Sequence, residues 1–320
     1  MSNKNDGTAI QQHYLPQNSY LKFFTNESDQ LHTYRFLKDK LNFPQSAAYF
    51  VSSPAKLAKE GYIYEAPHIP TNALEKTLTT VENAYADVLN TKILKKTELT
   101  EADEEKIALF IQALHARVPA NRSHVNSFLD ELDRKGQQVA LAHNSPEAAK
   151  QFSSQMAHAK EAAFADAIIA SLEVNMWQHA DICILDIGEI FRNMFFITSD
   201  NPVAVLDYAG MNTIYGIAPL NKTIEVVVPI NTHQAVFINN AGLHGYHDVD
   251  VNFIREINSR IFRMAKQFLL SPTALDAKFY DSINNRFPQS LLLRYLKIPK
   301  GKADYRLEEI KKRDGQKNDT

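Results

Sequence analysis

Two short stretches of this chain concentrate the side chains that can do chemistry. His13-Tyr14-Leu15-Pro16-Gln17 carries an imidazole and an amide, and Thr198-Ser199-Asp200-Asn201-Pro202 ends an apolar run with four polar residues and a proline. A strand that stops this way presents oxygens at its end, either to fix a turn or to hold a ligand. Between them lie Glu82, inside an amphipathic pattern, and Arg117, two residues before Pro119. An imidazole with two carboxylates (His13, Glu82 and Asp200) suits general acid–base catalysis or a divalent metal, and an arginine can clamp a phosphate. In that reading Arg117 binds substrate, while Gln17, Ser199 and Asn201 orient it or a water. Wide separation in sequence is no obstacle, because catalytic groups commonly converge from distant segments.

Plainer readings stand beside these. Asp200 and Asn201 before Pro202 are good turn formers that need no ligand. His13 can hydrogen-bond Asp200 and pin the N-terminal segment to a sheet. Glu82 and Arg117 can form a buried ion pair between helices. His244 and His247 have a spacing compatible with a metal, but a glycine-containing stretch with histidines reads first as an exposed connection. Ser199 lacks the Gly-x-Ser-x-Gly elbow of a serine hydrolase, and no phosphate loop or dinucleotide fingerprint is present. Cys183, inside an apolar strand, reads as a core residue.

Composition narrows the classes. A net charge of -2 over 320 residues gives no global attraction to nucleic acid or to an anionic membrane. A single cysteine rules out an intrachain disulfide and a cysteine-rich zinc site, and fits a reducing compartment. Residues 1–12 lack the apolar core of a signal peptide, and no apolar run is long enough to span a bilayer, so a cytoplasmic protein with no membrane partner is expected. One local bias remains, the basic stretch from Arg286 to Arg313. It can follow nucleic-acid phosphates, yet without an aromatic stacking pattern it reads first as a solvated tail.

The elements that must position these residues follow from periodicity. Residues 13–24 read as an extended opening segment anchored by Tyr20, Leu21, Phe23 and Phe24, with strands at 31–36 and 47–52 around an Asn42-Phe43-Pro44 turn. Leu74, Leu78, Val81, Tyr85, Val88 and Leu89 share one face of a helix over 71–92. Thr100-Glu101-Ala102-Asp103 starts a second helix, halted near Pro119. A less regular helix over 121–142 is weakened at Gly136. Ser145-Pro146-Glu147 opens a long helix to about Trp177, with Phe152, Met156, Ala159, Ala163, Ala167 and Leu172 on its buried stripe. Strands are predicted at 182–187, 194–198, 203–206, 223–228 and 234–239. Asp250 opens a last helix that buries Ile254, Ile257, Ile261, Met264 and Phe268 and ends before Pro272. Helices early and antiparallel strands late predict an α+β fold, a helical middle packed with a C-terminal, mainly antiparallel sheet.

The arrangement resembles the domain-of-unknown-function 4238 family, which is widespread in bacteria and also found in fungi. His13, Tyr14, Pro16, Gln17, Leu21 and Phe24 resemble its opening motif. Glu82 stands where its first long helix carries an acid, Arg117 with Pro119 resembles its Arg-Thr-Pro element, and Thr198, Ser199, Asp200 and Pro202 resemble its hallmark strand end. Asn258 matches an asparagine of its late helix. Val118 departs from the usual threonine, so any hydrogen bond of that hydroxyl is absent here. The resemblance implies a single α+β domain over 13–310 and no particular chemistry, and the ends at 1–12 and 311–320 are expected to be disordered because they have few or no apolar residues to bury. The leading expectation is therefore carried by the polar residues: a hydrolase acting on a phosphodiester or nucleotide, serving as a bacterial effector, with a divalent metal as an admissible cofactor. The alternative is a non-catalytic binding or scaffold protein whose polar motifs stabilise the fold. An RNA-binding module using the basic C-terminal stretch ranks below both.

Overall fold

The computed structural model describes residues 11–37, 40, 43–174, 176–177, 180–207 and 223–284. Residues 1–10, Asn42 and the basic stretch with its tail, and with them the readings made there, lie outside the described residues. The chain opens with β1 (Gln11–His13), so Gln11 and Gln12 belong to a strand rather than to a tail. A 3-10 turn at Leu21–Phe24 follows, then β2 (Leu31–Phe36) and β3 (Ala47–Ser52) with the predicted bounds. β4 (Lys59–Gly61) returns to pair antiparallel with β1, placing His13 opposite Lys59. Neither three-residue strand carries a local pattern long enough to read.

α1 (Ala73–Val88) buries the predicted face and runs on through a wider turn at Leu89–Ile93. α2 (Glu101–Ala116) has a complete capping box, with the Thr100 hydroxyl accepting from the Asp103 amide and the Asp103 carboxylate accepting from the Thr100 amide. Pro119 ends α2 and also begins α3 (Pro119–Ala142), because it holds Val118 extended and has no N–H to lose in a first turn. Gly136 in α3 makes room for a neighbour: a Cβ there would lie 2.2 Å from the Phe152 ring of α4 (Pro146–Glu173). Ser145 precedes α4 without a side-chain cap bond, and the helix ends before Trp177. Its buried residues are Ala149, Phe164, Ala165 and Ile168, which displaces the predicted stripe. A helix this rich in alanine has little amphipathic contrast to fix its inward side.

β5 (Asp181–Ile187), β6 (Thr198–Ser199), β7 (Ala204–Asp207), β8 (Ile224–Pro229), β9 (Gln234–Asn239) and β10 (Gly245–Val249) come next, then α5 (Val251–Met264), β11 (Phe268–Ser271) and α6 (Ala277–Asn284). Five strands form a sheet in the order β10-β5-β9-β8-β7, antiparallel except for the β10–β5 pair, and four form the antiparallel sheet β3-β2-β11-β6. The architecture is α+β. Both faces of the larger sheet are covered, so alternate residues enter different cores. Ile182 and Ile184 of β5 join the core built with Tyr14, Tyr20, α1 and α2, while Cys183 and Leu185 join the core under α5. Among the described residues no helix is long and apolar enough to cross a membrane.

Two predicted elements change type. The stretch around His244 and His247 leads into β10, a strand rather than a free connection, with His247 opposite Leu185. Phe268, assigned to the last helix, lies in β11. The apolar run Phe268-Leu269-Leu270 has no period to separate helix from strand, and a distant side chain ends the helix before it.

Candidate functional site

That side chain is Asp200. At the end of β6 it is 1% exposed. One carboxylate oxygen accepts from the Lys266 amide at 2.9 Å and the Phe268 amide at 3.4 Å, the other from the Gln267 amide at 2.9 Å. These amides follow directly on Ala265, the C-cap of α5, so the carboxylate fixes the turn into β11. Burial pushes its pKa above the usual aspartate value, the three amides and Lys40 opposing. Its neighbours serve the same knot. Ser199 Oγ accepts from the Asn201 amide at 3.1 Å, and Asn201 Nδ2 donates to the Met264 carbonyl at 3.1 Å. Asn258 of α5 accepts from the Ile197 amide and donates to the Phe195 carbonyl. Those bonds, with one from the Phe196 amide to the Thr232 carbonyl, replace the ladder expected over 194–197, and only Thr198 and Ser199 pair as a strand.

The opening segment does meet this strand end, through a different pair from the expected one. The Tyr20 hydroxyl, fully buried, donates to the Pro229 carbonyl at 2.9 Å and lies 2.7 Å from Thr198 Oγ1. A phenol has one proton, so the threonine must be the donor to Tyr20. His13 and Asp200 share no hydrogen bond. His13 Nε2 lies 3.4 Å from the Ala55 carbonyl instead, and it is Tyr14, its neighbour in sequence, that feels the Asp200 charge. Gln17 is half-buried and bonds neither of them; its backbone carbonyl accepts from the Lys22 amide.

The profile of the family described as "Protein of unknown function (DUF4238)" matches residues 11–274. The chain belongs to this family. No curated protein matches it, and no solved structure does. The matched span of this DUF4238 member runs from β1 to just past β11, so it includes the knot at Asp200 and a second polar cluster centred on Arg117.

Arg117, at the C-cap of α2, has a side chain only 1% exposed, and its Nη1 donates to Glu82 Oε1 of α1 at 2.6 Å. The inter-helix ion pair is therefore present. Its Nε and Nη2 are buried with no hydrogen-bond partner. The Tyr64 hydroxyl, which donates to the His13 carbonyl at 2.9 Å, lies near enough to the guanidinium for a weak polar contact but is outside good hydrogen-bond geometry with Nε and Nη2. His13 feels both Glu82 and Arg117. Burial lowers its pKa first of all, the Ala55 bond opposing and Lys59 adding. A carbonyl only accepts, so the neutral ring carries its proton on Nε2 and leaves Nδ1 as the basic nitrogen.

Sequence reasoning passed over Glu75. It lies seven residues before Glu82, two turns along the same face of α1, and its Oε2 is buried without a partner. Burial raises its pKa, with Arg117 opposing and Glu82 and Glu65 adding. The seven-residue spacing was the available signal, but two acids on a helix face usually mark a solvated surface.

Apart from Gln17, the predicted site residues thus fall into two groups: His13, Glu82 and Arg117 in one electrostatic neighbourhood, and Ser199, Asp200 and Asn201 in a backbone-bonded knot. Among the described residues no set of three or more His, Cys, Asp or Glu side chains is placed to hold a metal ion. His244 bridges Glu104 at 3.3 Å and Asp181 at 3.1 Å, tying β10 to α2 and β5. A surface groove lined by Lys96, Asp186, Arg192, Asn231 and His233 includes none of the predicted site residues.

Proposed function

We propose that this DUF4238 member is a hydrolase acting on a phosphodiester or nucleotide, with Arg117 binding phosphoryl oxygens and His13 as general base. The observation that carries the reading is the buried guanidinium with two donors unused. Leaving such donors buried and unpaired costs roughly 1–3 kcal/mol, so a fold that keeps them offers a prepared receptor for an oxyanion. Glu82 takes Nη1 and thereby orients the remaining edge. The depressed pKa of His13 keeps it neutral at physiological pH, where Nδ1 can take a proton from an attacking water. As water adds to phosphorus and the ester P–O bond breaks, the proton taken by His13 returns to the leaving oxygen, which departs as an alcohol, and Arg117 stabilises the charge that develops on the phosphoryl oxygens. Asp200, Ser199 and Asn201 act in this scheme as positioning residues, holding the strand end that Tyr20 ties to the opening segment. The buried lone Cys183, its thiol pushed up to about 12 mainly by burial, suits the reducing cytoplasm as the place of action.

The test is turnover of nucleotides, dinucleotides and simple phosphate esters by purified protein, with and without added divalent cation. His13→Gln should lower kcat by roughly 10²–10⁴-fold, the usual worth of a general base, while the protein stays folded. Wild-type protein inert toward every ester would refute the reading. It would favour the second one, a non-catalytic protein, for which the backbone-bonded Asp200 knot speaks.

A further inference from the structure

Arg117 and Glu75 are the members of the cluster with buried polar atoms left over, Nε and Nη2 on one and Oε2 on the other. The Nε and Nη2 hydrogens of a guanidinium lie parallel along one edge, the edge that receives two oxygens of a single anion. Here neither N–H group of that edge has a partner in good hydrogen-bond geometry, Tyr64 making at most a weak contact, because Glu82 takes Nη1. Glu82 bonds Arg117, His13 and Glu75 lie in its electrostatic neighbourhood, and all three side chains are partly exposed.

We propose that the Arg117 edge and Glu75 form a binding site for a terminal phosphoryl group, such as a phosphomonoester or the outermost phosphate of a nucleotide, taken up with one proton shared between ligand and Glu75. The inference rests on the reading of Arg117 as the phosphate receptor and narrows its substrate class. Two phosphoryl oxygens accept from Nε–H and Nη2–H. A third meets Glu75 Oε2, and two facing oxygens need a proton between them. The titratable groups around Glu75 are Arg117 at the end of α2, Glu82 on its own helix, and Tyr64 and Glu65 in the segment after β4. His13 of β1 and Lys59 of β4 stand beyond them, around Arg117 and Glu82. Two acids beside Glu75 favour its protonated form when an anion arrives. A terminal phosphoryl group carries one substituent and keeps three oxygens, two for the Arg117 edge and one for Glu75. An internal diester carries two and has no proton of its own to share.

The experiment is calorimetric titration of the full chain with inorganic phosphate and with dimethyl phosphate across neutral pH. Inorganic phosphate should bind, with affinity falling by about tenfold per pH unit once the shared proton is lost, above roughly pH 7. Dimethyl phosphate should bind much more weakly. Glu75→Gln supplies a permanent N–H in place of the shared proton, so it should flatten the pH slope and hold phosphate at high pH at least as well as the wild type. Arg117→Lys keeps the charge but loses the paired edge, and should weaken binding by about tenfold or more. If that variant fails to fold, the Glu75→Gln slope decides alone. No phosphate binding by the wild type, equal binding of dimethyl phosphate, or an unchanged slope in Glu75→Gln would each overturn the proposal. Phosphate binding with the expected slope and no turnover of any ester would support the site and refute the hydrolase, whereas diester turnover without phosphate binding would do the reverse.

Discussion

Replacing Asp200 by asparagine nearly preserves shape and removes the charge, which separates a turn lock from a catalytic carboxylate. In the wild type two oxygens serve three amides, at 2.9, 2.9 and 3.4 Å. Asparagine keeps one acceptor and turns a second donor toward one of the amides. Losing a charge-assisted bond costs roughly 1.5–3 kcal/mol. Against this, the wild-type carboxylate is buried, and its raised pKa shows that desolvation outweighs what the amides return. The neutral amide escapes that penalty. The amides of Lys266 and Gln267 belong to exposed residues and can recruit water, which lowers the cost further. The net loss expected is about 1–2 kcal/mol, a fall in Tm of roughly 2–6 °C for a chain of this size. The pH dependence has a fixed sign. A carboxyl whose folded pKa is raised contributes stability below its unfolded value of 3.8, and that contribution fades as pH rises through the folded pKa. The wild type should show this component in denaturant titrations at stepped pH, and Asp200→Asn should lack it. Turnover per folded molecule should change little. A fall in kcat of about a hundredfold or more with the fold intact would refute the lock and place the carboxylate in the chemistry.

Tyr20→Phe removes the fully buried hydroxyl between Thr198 and the Pro229 carbonyl, and should cost about 2–3 kcal/mol in urea unfolding because both partners stay buried; an unchanged midpoint would break the link between the opening segment and the strand end. His115 has Nδ1 sealed without a partner, and its pKa is lowered to about 4, chiefly by burial with His124 adding. A lowered histidine pKa means stability that is present above 6.5 and lost as pH falls toward about 4, here roughly 2 kcal/mol after allowance for the partly exposed remainder of the ring. His115→Gln should flatten stability across that window, and an identical acid limb in the variant would show that another group is responsible.

Much of the secondary structure could be read from neighbours along the chain. β2 and β3 have the bounds predicted for two short strands around a turn, α1 buries the face its period marks, and the Thr100–Asp103 box opens α2. Asp250 opens α5 by accepting from the Asn252 and Phe253 amides. Each signal lies within a few residues of the element it specifies. The unread elements have their cause elsewhere. β1 and β4 exist only as each other's partners, and β10 exists by pairing with β5. The α4 stripe was misplaced because an alanine-rich surface does not rank its own faces.

By itself, the sequence determined the α+β class, the long helices, the caps at Thr100 and Asp250, the motifs that place the chain in its family, and the kinds of polar side chain available. Only the tertiary structure decided which of them meet. Asp200 turned to the three amides after α5 rather than to His13, Tyr20 took Thr198, and Arg117 bonded Glu82 with Glu75 close by. Propensity, periodicity and capping act over one or two turns of backbone, so they are written locally. The partner of a buried polar group is chosen by whichever distant segment packing brings within hydrogen-bond reach, and no spacing along the chain records that choice.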